Sequence, residues 1–170
     1  KIKQKVFHAK FGEGTVLTTS QCLENDNRNP GMSRAQLERA VGAYLGTSRT
    51  LWITEGLLND HTDGHIDTIA RFVRPGVVCC MAPAGSDDPN HAVLGRIARE
   101  LGGMVDARGR TLAVELIPSP GRVLDEDGEI MPASYANFYI ANTTVIVPQY
   151  GVPNDAAAVD ATGSPFYHGA

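Results

Sequence analysis

The sequence predicts an α/β fold assembled from strand–strand–helix–strand repeats, and three observations carry that prediction. Short runs rich in β-branched and apolar residues occur in pairs joined by Gly- or Asn-containing turns. Stretches with apolar residues three and four positions apart follow these pairs and read as helices. The three paired-strand turns recur about 60 to 70 residues apart, a little longer than the usual solenoid period but regular enough to mark a repeat architecture. A unit of this kind cannot bury both faces of its sheet alone, so neighbouring units must pack on one another.

Taken in order, Lys5 to Lys10 and Gly14 to Thr19 form the first strand pair, turning at Phe11–Gly14. Ser20 to Gly31 is polar, with Asn25-Asp-Asn-Arg-Asn-Pro30 inside it, and reads as a loop. Ser33 is suited to cap a helix over Arg34 to Leu45, where Leu37, Val41, Tyr44 and Leu45 share a face and Gly46 stops the turns. Thr50 to Thr54 closes the unit as a strand. Ile66 to Val73 and Val77 to Met81 make a second pair around Arg74-Pro-Gly76, Pro89 to Leu101 a helix, and Thr111 to Ile117 a strand. Ser134 to Ala141 and Val145 to Gln149 make a third pair around Asn142-Thr143, followed by a helix beginning near Pro153. The predicted units span about 5–54, 65–117 and 134–161 of a single domain, 1–170, with an irregular tail at 162–170. Gly121 to Met131 carries four acidic residues and reads as an exposed loop.

Composition excludes several classes of function. With 42% hydrophobic residues, the 170-residue chain can bury a core. A net charge of −4 and a pI near 5.7 argue against nucleic-acid and anionic-membrane partners. No run approaches the roughly 18 apolar residues needed to span a bilayer. The basic start, Lys1 to Lys10, lacks the apolar segment of a signal peptide. Three cysteines, two of them adjacent at Cys79 and Cys80, make no disulfide framework, and the expectation is a soluble, cytoplasmic, reducing setting.

The chemistry concentrates in Asn59-Asp-His-Thr-Asp-Gly-His-Ile-Asp67, which packs three carboxylates and two imidazoles between Asp60 and Asp67. Gly64 lets the chain turn or a ligand approach closely. If the run from His65 is a strand, His65 and Asp67 project from one face with Ile66 on the other. A neutral imidazole exchanges a proton near pH 7, and a carboxylate beside it can hold a planar cation. The bland alternative is a solvated loop ending in a His–Asp pair. A metal at Asp60, Asp63, His65 and Asp67 is a further alternative, but the spacing matches no closed zinc pattern, and neither metal nor cofactor is expected.

Several stretches together resemble one family. They are Gly12-Glu-Gly-Thr-Val-Leu-Thr-Thr19, Gln21-Cys-Leu23 with Asn27-Arg-Asn-Pro30, Thr62-Asp-Gly-His-Ile-Asp67 with Ala70-Arg-Phe-Val73, Ser134-Tyr-Ala-Asn-Phe-Tyr-Ile-Ala-Asn142, and Val147-Pro-Gln149 with Asp155-Ala-Ala157. In this order they resemble the agmatine deiminase family, one of the peptidyl-arginine deiminase-like groups that share the pentein fold. The resemblance implies a five-bladed α/β propeller, of which this chain holds about two and a half blades. It implies hydrolysis of agmatine to N-carbamoylputrescine and ammonia: a thiolate attacks the guanidinium carbon, and an imidazole protonates the departing ammonia and then activates water. It makes His65 the acid/base and Asp67 a guanidinium-binding carboxylate; apart from the resemblance, Asp63, two residues before His65, adds negative potential and is expected to bind substrate too.

The sequence departs from the family pattern at two places. The family's nucleophilic cysteine lies in a Gly-Gly-Gly-x-x-His-Cys stretch, and its first guanidinium-binding Asp in a Trp-x-Arg-Asp-x-Gly-Pro stretch; neither occurs in these 170 residues. The chain is therefore expected to be inactive by itself. Cys79 and Cys80 lie in an apolar strand, and Cys22 matches a family cysteine that is not the nucleophile. Asn137 and Tyr139 are expected to face a core, Arg28 and Asn29 to fix a loop, and Trp52 to pack inside. A second reading from another class is a non-catalytic, truncated derivative acting as a binding or oligomeric module. A propeller cut to about half exposes apolar inter-blade faces, so a homo-oligomer is expected.

Overall fold

A computed structural model describes residues 13–141 and 144–166, with side chains through Gly163. The first expected strand, Lys5 to Lys10, and the turn at Asn142-Thr143 lie outside the described residues. Strand β1 (Thr15–Thr19) runs into a single helical turn, α1 (Ser20–Leu23), where a plain loop was expected. Helix α2 (Arg34–Leu45) follows and returns the chain to β2 (Arg49–Ile53), which pairs parallel to β1. Ser33 and Gln36 form a reciprocal capping box at the start of α2, and Gly46 ends it in the left-handed conformation at φ +66°.

The second unit has all four elements. Strand β3 (Ala70–Arg74) pairs antiparallel with β4 (Val77–Ala82), helix α3 (His91–Gly102) crosses over, and β5 (Ala113–Pro118) returns parallel to β4. The sheet order is β3-β4-β5. The third unit has a two-residue hairpin, β6 (Tyr139–Ile140) with β7 (Val145–Ile146), followed by α4 (Asp155–Phe166).

Packing explains the unbroken apolar run in β4. Val78 and Cys80 join Leu17, Leu51 and Ile53 of the first unit in one core. Val77, Cys79 and Met81 point the other way and meet Tyr135, Phe138 and Ala158 of the third unit. A strand buried on both faces has no need of alternation. A Val, Leu, Ile, Phe or Met side chain fully removed from water contributes about 1.5–3 kcal/mol.

The structure corrects four expectations. The run after Gly64 is not a strand until Ala70; Ile66–Thr68 is a 3-10 turn. Thr68 is the reason, since its backbone N–H and its hydroxyl both donate to the His65 carbonyl, at 3.3 Å and 2.8 Å. The tail expected at 162–170 is helical as far as Phe166, and the Thr162 hydroxyl hydrogen-bonds the Ala158 carbonyl within that helix. Asn137 and Tyr139 are exposed; Tyr135, Ala136 and Phe138 take the buried places. Trp52 is only partly buried, with Nε1 donating to Glu38 and the Arg34 guanidinium lying 4.6 Å from the ring centroid.

Candidate functional site

The chemistry-bearing loop connects β2 to β3 and folds around two consecutive left-handed residues, Asp63 at φ +61° and Gly64 at φ +69°. Glycine tolerates that conformation; aspartate adopts it at a cost and needs support. Support comes from the end of β1 and from α1. The Thr19 hydroxyl donates to the Gly64 carbonyl at 2.7 Å and accepts from the Cys22 amide at 3.1 Å. Gln21 Oε1 accepts from Gly56 N at 2.9 Å, and a Cβ on Gly64 would lie 2.6 Å from that same oxygen. Gly64 is thus required for both its backbone angle and its close approach.

Arg28 completes the support. Its Nε donates to Asp63 Oδ2 at 3.2 Å and its Nη2 to the Thr62 carbonyl at 2.5 Å, with only 11% of the side chain exposed. Asn29 Nδ2 donates to the Leu23 carbonyl at 2.9 Å. Both residues therefore fix loops, as the sequence suggested. Asp63, expected to bind substrate, has one carboxylate oxygen committed to this chain's own guanidinium.

His65 and Asp67 do not share a strand face; they bracket the start of the 3-10 turn, His65 at its N-cap position and Asp67 within its first turn. Both are half-buried. Asp67 Oδ1 is buried and accepts no hydrogen bond from the described residues, and the same holds for Asp60 Oδ2, while Arg28 Nη1 is a buried donor without a described acceptor. The other Asp60 oxygen accepts from the Thr62 amide at 2.9 Å and hydroxyl at 2.6 Å. Buried polar atoms are usually partnered, so unpaired acceptors in a loop of carboxylates are suited to a hydrogen-bonding cation. Arg71, next along, is committed elsewhere: Nη1 donates to the Phe138 carbonyl at 2.7 Å and the guanidinium lies 5.1 Å from the Phe138 ring centroid. Burial makes its charged form less favourable, and the nearby Asp67 carboxylate opposes that effect.

Cys22 lies among these groups. Burial pushes its thiol above the ordinary range; Arg28 pulls it down, and Asp63, Asp60 and Asp67 push it up further. Cys79 and Cys80 are fully buried in β4, and burial pushes each thiol up to about 12. None of the three cysteines is set as a thiolate nucleophile. Among the described residues, no group of three or more His, Cys, Asp or Glu side chains converges to hold a metal ion. No helix among them is long and apolar enough to cross a membrane. The acidic segment 121–131 is an exposed excursion bridged at Leu124 and Ile130. Asn59 Nδ2 ties the site loop to it by donating to the Ile130 carbonyl at 3.0 Å, beside an open cleft of about 540 Å³ between His61 and the acidic side chains Asp125 and Glu129. Thr19 and Gln21 were not singled out from sequence; their only signal was their place inside the matching stretches before Arg28.

The profile of the Porphyromonas-type peptidyl-arginine deiminases matches residues 10–168. The chain is 43% identical over 145 residues to a Legionella pneumophila protein provisionally named agmatine deiminase, covering 85% of this chain and 41% of that one. It is 38% identical over 164 residues to the agmatine deiminase of Pseudomonas aeruginosa, covering 86% and 45%. The agmatine deiminase structure of Enterococcus faecalis superposes with a TM-score of 0.85 at 35% identity, over 91% of this chain and 47% of that one. The chain thus spans less than half the length of the relatives it matches. With a match across nearly all of its residues, this chain belongs to the Porphyromonas-type peptidyl-arginine deiminase family.

Proposed function

We propose that this chain supplies the guanidinium-holding and proton-transferring part of a deiminase acting on a small guanidino compound such as agmatine. In this reading Asp67 accepts hydrogen bonds from the guanidinium, and His65 protonates the departing ammonia and then activates water. Asp63 serves the same site as a carboxylate whose position Arg28 fixes. The observation that supports the reading best is the buried Asp67 Oδ1, an anionic acceptor with no donor among the described residues, two positions from an imidazole. A guanidinium offers paired donors of the right charge for it.

The same reading places the chain as about two and a half blades of a five-bladed pentein propeller. The relatives' names support agmatine as substrate. The thiolate that attacks the guanidinium carbon is not supplied by Cys22, Cys79 or Cys80, so the 170-residue polypeptide by itself does not turn over agmatine. An ammonia-release assay on the purified chain tests this: background release is expected. Turnover abolished by Cys22→Ser, Cys79→Ser or Cys80→Ser would reveal a nucleophile here and overturn the assignment. We propose also that the chain self-associates, because cross-strand neighbours Tyr139 and Ile146 are 65% and 61% exposed at the edge of the third unit.

A further inference from the structure

We propose that Arg28 is a positioning residue for His65 and Asp67, acting through Asp63 and the left-handed turn; the inference rests on the roles given to those two residues above. The direction in which His65 and Asp67 leave the loop follows from the two residues before them, because Asp63 and Gly64 both have positive φ and the 3-10 turn starts at once. A non-glycine residue held there persists only where its surroundings over-determine it.

Arg28 grips two successive residues of that turn with one planar group, the Asp63 carboxylate through Nε and the Thr62 carbonyl through Nη2. It reaches the loop from 35 residues away, and its side chain is 11% exposed. A solvated surface pair would leave both long side chains free to rotate and would set no geometry. Here the fork bonds a side chain and a main-chain carbonyl together, and Thr19 fixes the carbonyl two residues on, that of Gly64. Lysine carries the charge but presents a point donor rather than a fork, so it cannot reproduce both contacts in one plane.

Nuclear magnetic resonance on the purified 170-residue chain tests the proposal with Arg28→Gln and Arg28→Lys, with and without agmatine. Both variants are expected to keep the circular-dichroism spectrum and the resonances of β4. The Asp63 amide–Hα coupling, the His65 imidazole resonances and the Asp67 amide should move in both, and the agmatine-induced shift at Asp67 should be lost in Arg28→Gln. Unmoved His65 and Asp67 resonances would overturn the proposal. So would changes spread evenly over the chain, or failure of both variants to fold, since either shows a general structural role. Movement of the turn in the variants, with no response to agmatine in the unaltered chain, would support the positioning role and overturn the substrate reading.

Discussion

Replacing Thr19 with valine should destabilise the chain by about 1–4 kcal/mol, and the figure follows from two hydrogen bonds. Thr19 is fully buried, donates to the Gly64 carbonyl at 2.7 Å and accepts from the Cys22 amide at 3.1 Å. Valine has almost the same shape, so little cavity forms. Losing the cap contact at the start of α1 costs about 1 kcal/mol. Leaving the Gly64 carbonyl buried without its donor costs about 1–3 kcal/mol more, and the added methyl offsets up to about 0.8 kcal/mol. At fixed protein concentration this lowers the melting temperature by roughly 2–16 °C for a chain of this length. Thr19→Ser keeps the hydroxyl and loses one methyl, about 1 kcal/mol. Urea and thermal unfolding of the three proteins measure the order. Valine as stable as serine, or more so, would show that the hydroxyl does not hold the turn.

Three further outcomes follow from the cysteines and the exposed edge. Only Cys22 should react with a bulky disulfide reagent in the native chain near neutral pH, and all three thiols should react after denaturation; reaction of Cys79 or Cys80 in the native state would contradict their burial. An unfolded thiol titrates near 9.0 and these two near about 12, so the folded state keeps protons that the unfolded state has released. Stability should therefore fall as pH rises through that window, less steeply in Cys79→Ala; an unchanged slope would locate the effect elsewhere. Light scattering at low micromolar concentration should give a mass above the 18.2 kDa of one chain and dependent on concentration, whereas a sharp monomer peak would refute self-association through the exposed edge.

The elements legible in the sequence were those whose local signals agreed with their packing. Helix α3 shows its buried Leu94, Ile97 and Leu101 at helical spacing, and β4 is apolar without a break because both faces are covered. What misled were residues whose composition suggested one structure while a side-chain hydrogen bond chose another. Ile66, Thr68 and Ile69 look like strand, but the Thr68 hydroxyl closes a turn onto the His65 carbonyl. At the start of the third expected pair Ser134 does the same, donating to the Thr68 carbonyl at 2.6 Å and accepting from the Ala136 amide at 3.0 Å, and strand begins only at Tyr139. Gly163 and Pro165 look like a tail, yet α4 continues through them. In the site, the stretch that holds His65 and Asp67 was legible as a motif. The Arg28–Asp63 pair was not, because it joins residues 35 apart that only the fold brings together.

Titration of the 170-residue chain with agmatine, followed residue by residue by nuclear magnetic resonance, tests the assignment of Asp67 most directly. One partly exposed ion pair contributes about 0–1 kcal/mol, little against an association cost of about 4 kcal/mol or more. Binding should therefore be millimolar or weaker, near or above the level that about −4 kcal/mol represents. The shifts should centre on Gly64 to Thr68 and vanish in Asp67→Asn. Micromolar binding, or shifts that survive that substitution, would place the guanidinium site elsewhere and contradict the role given to Asp67.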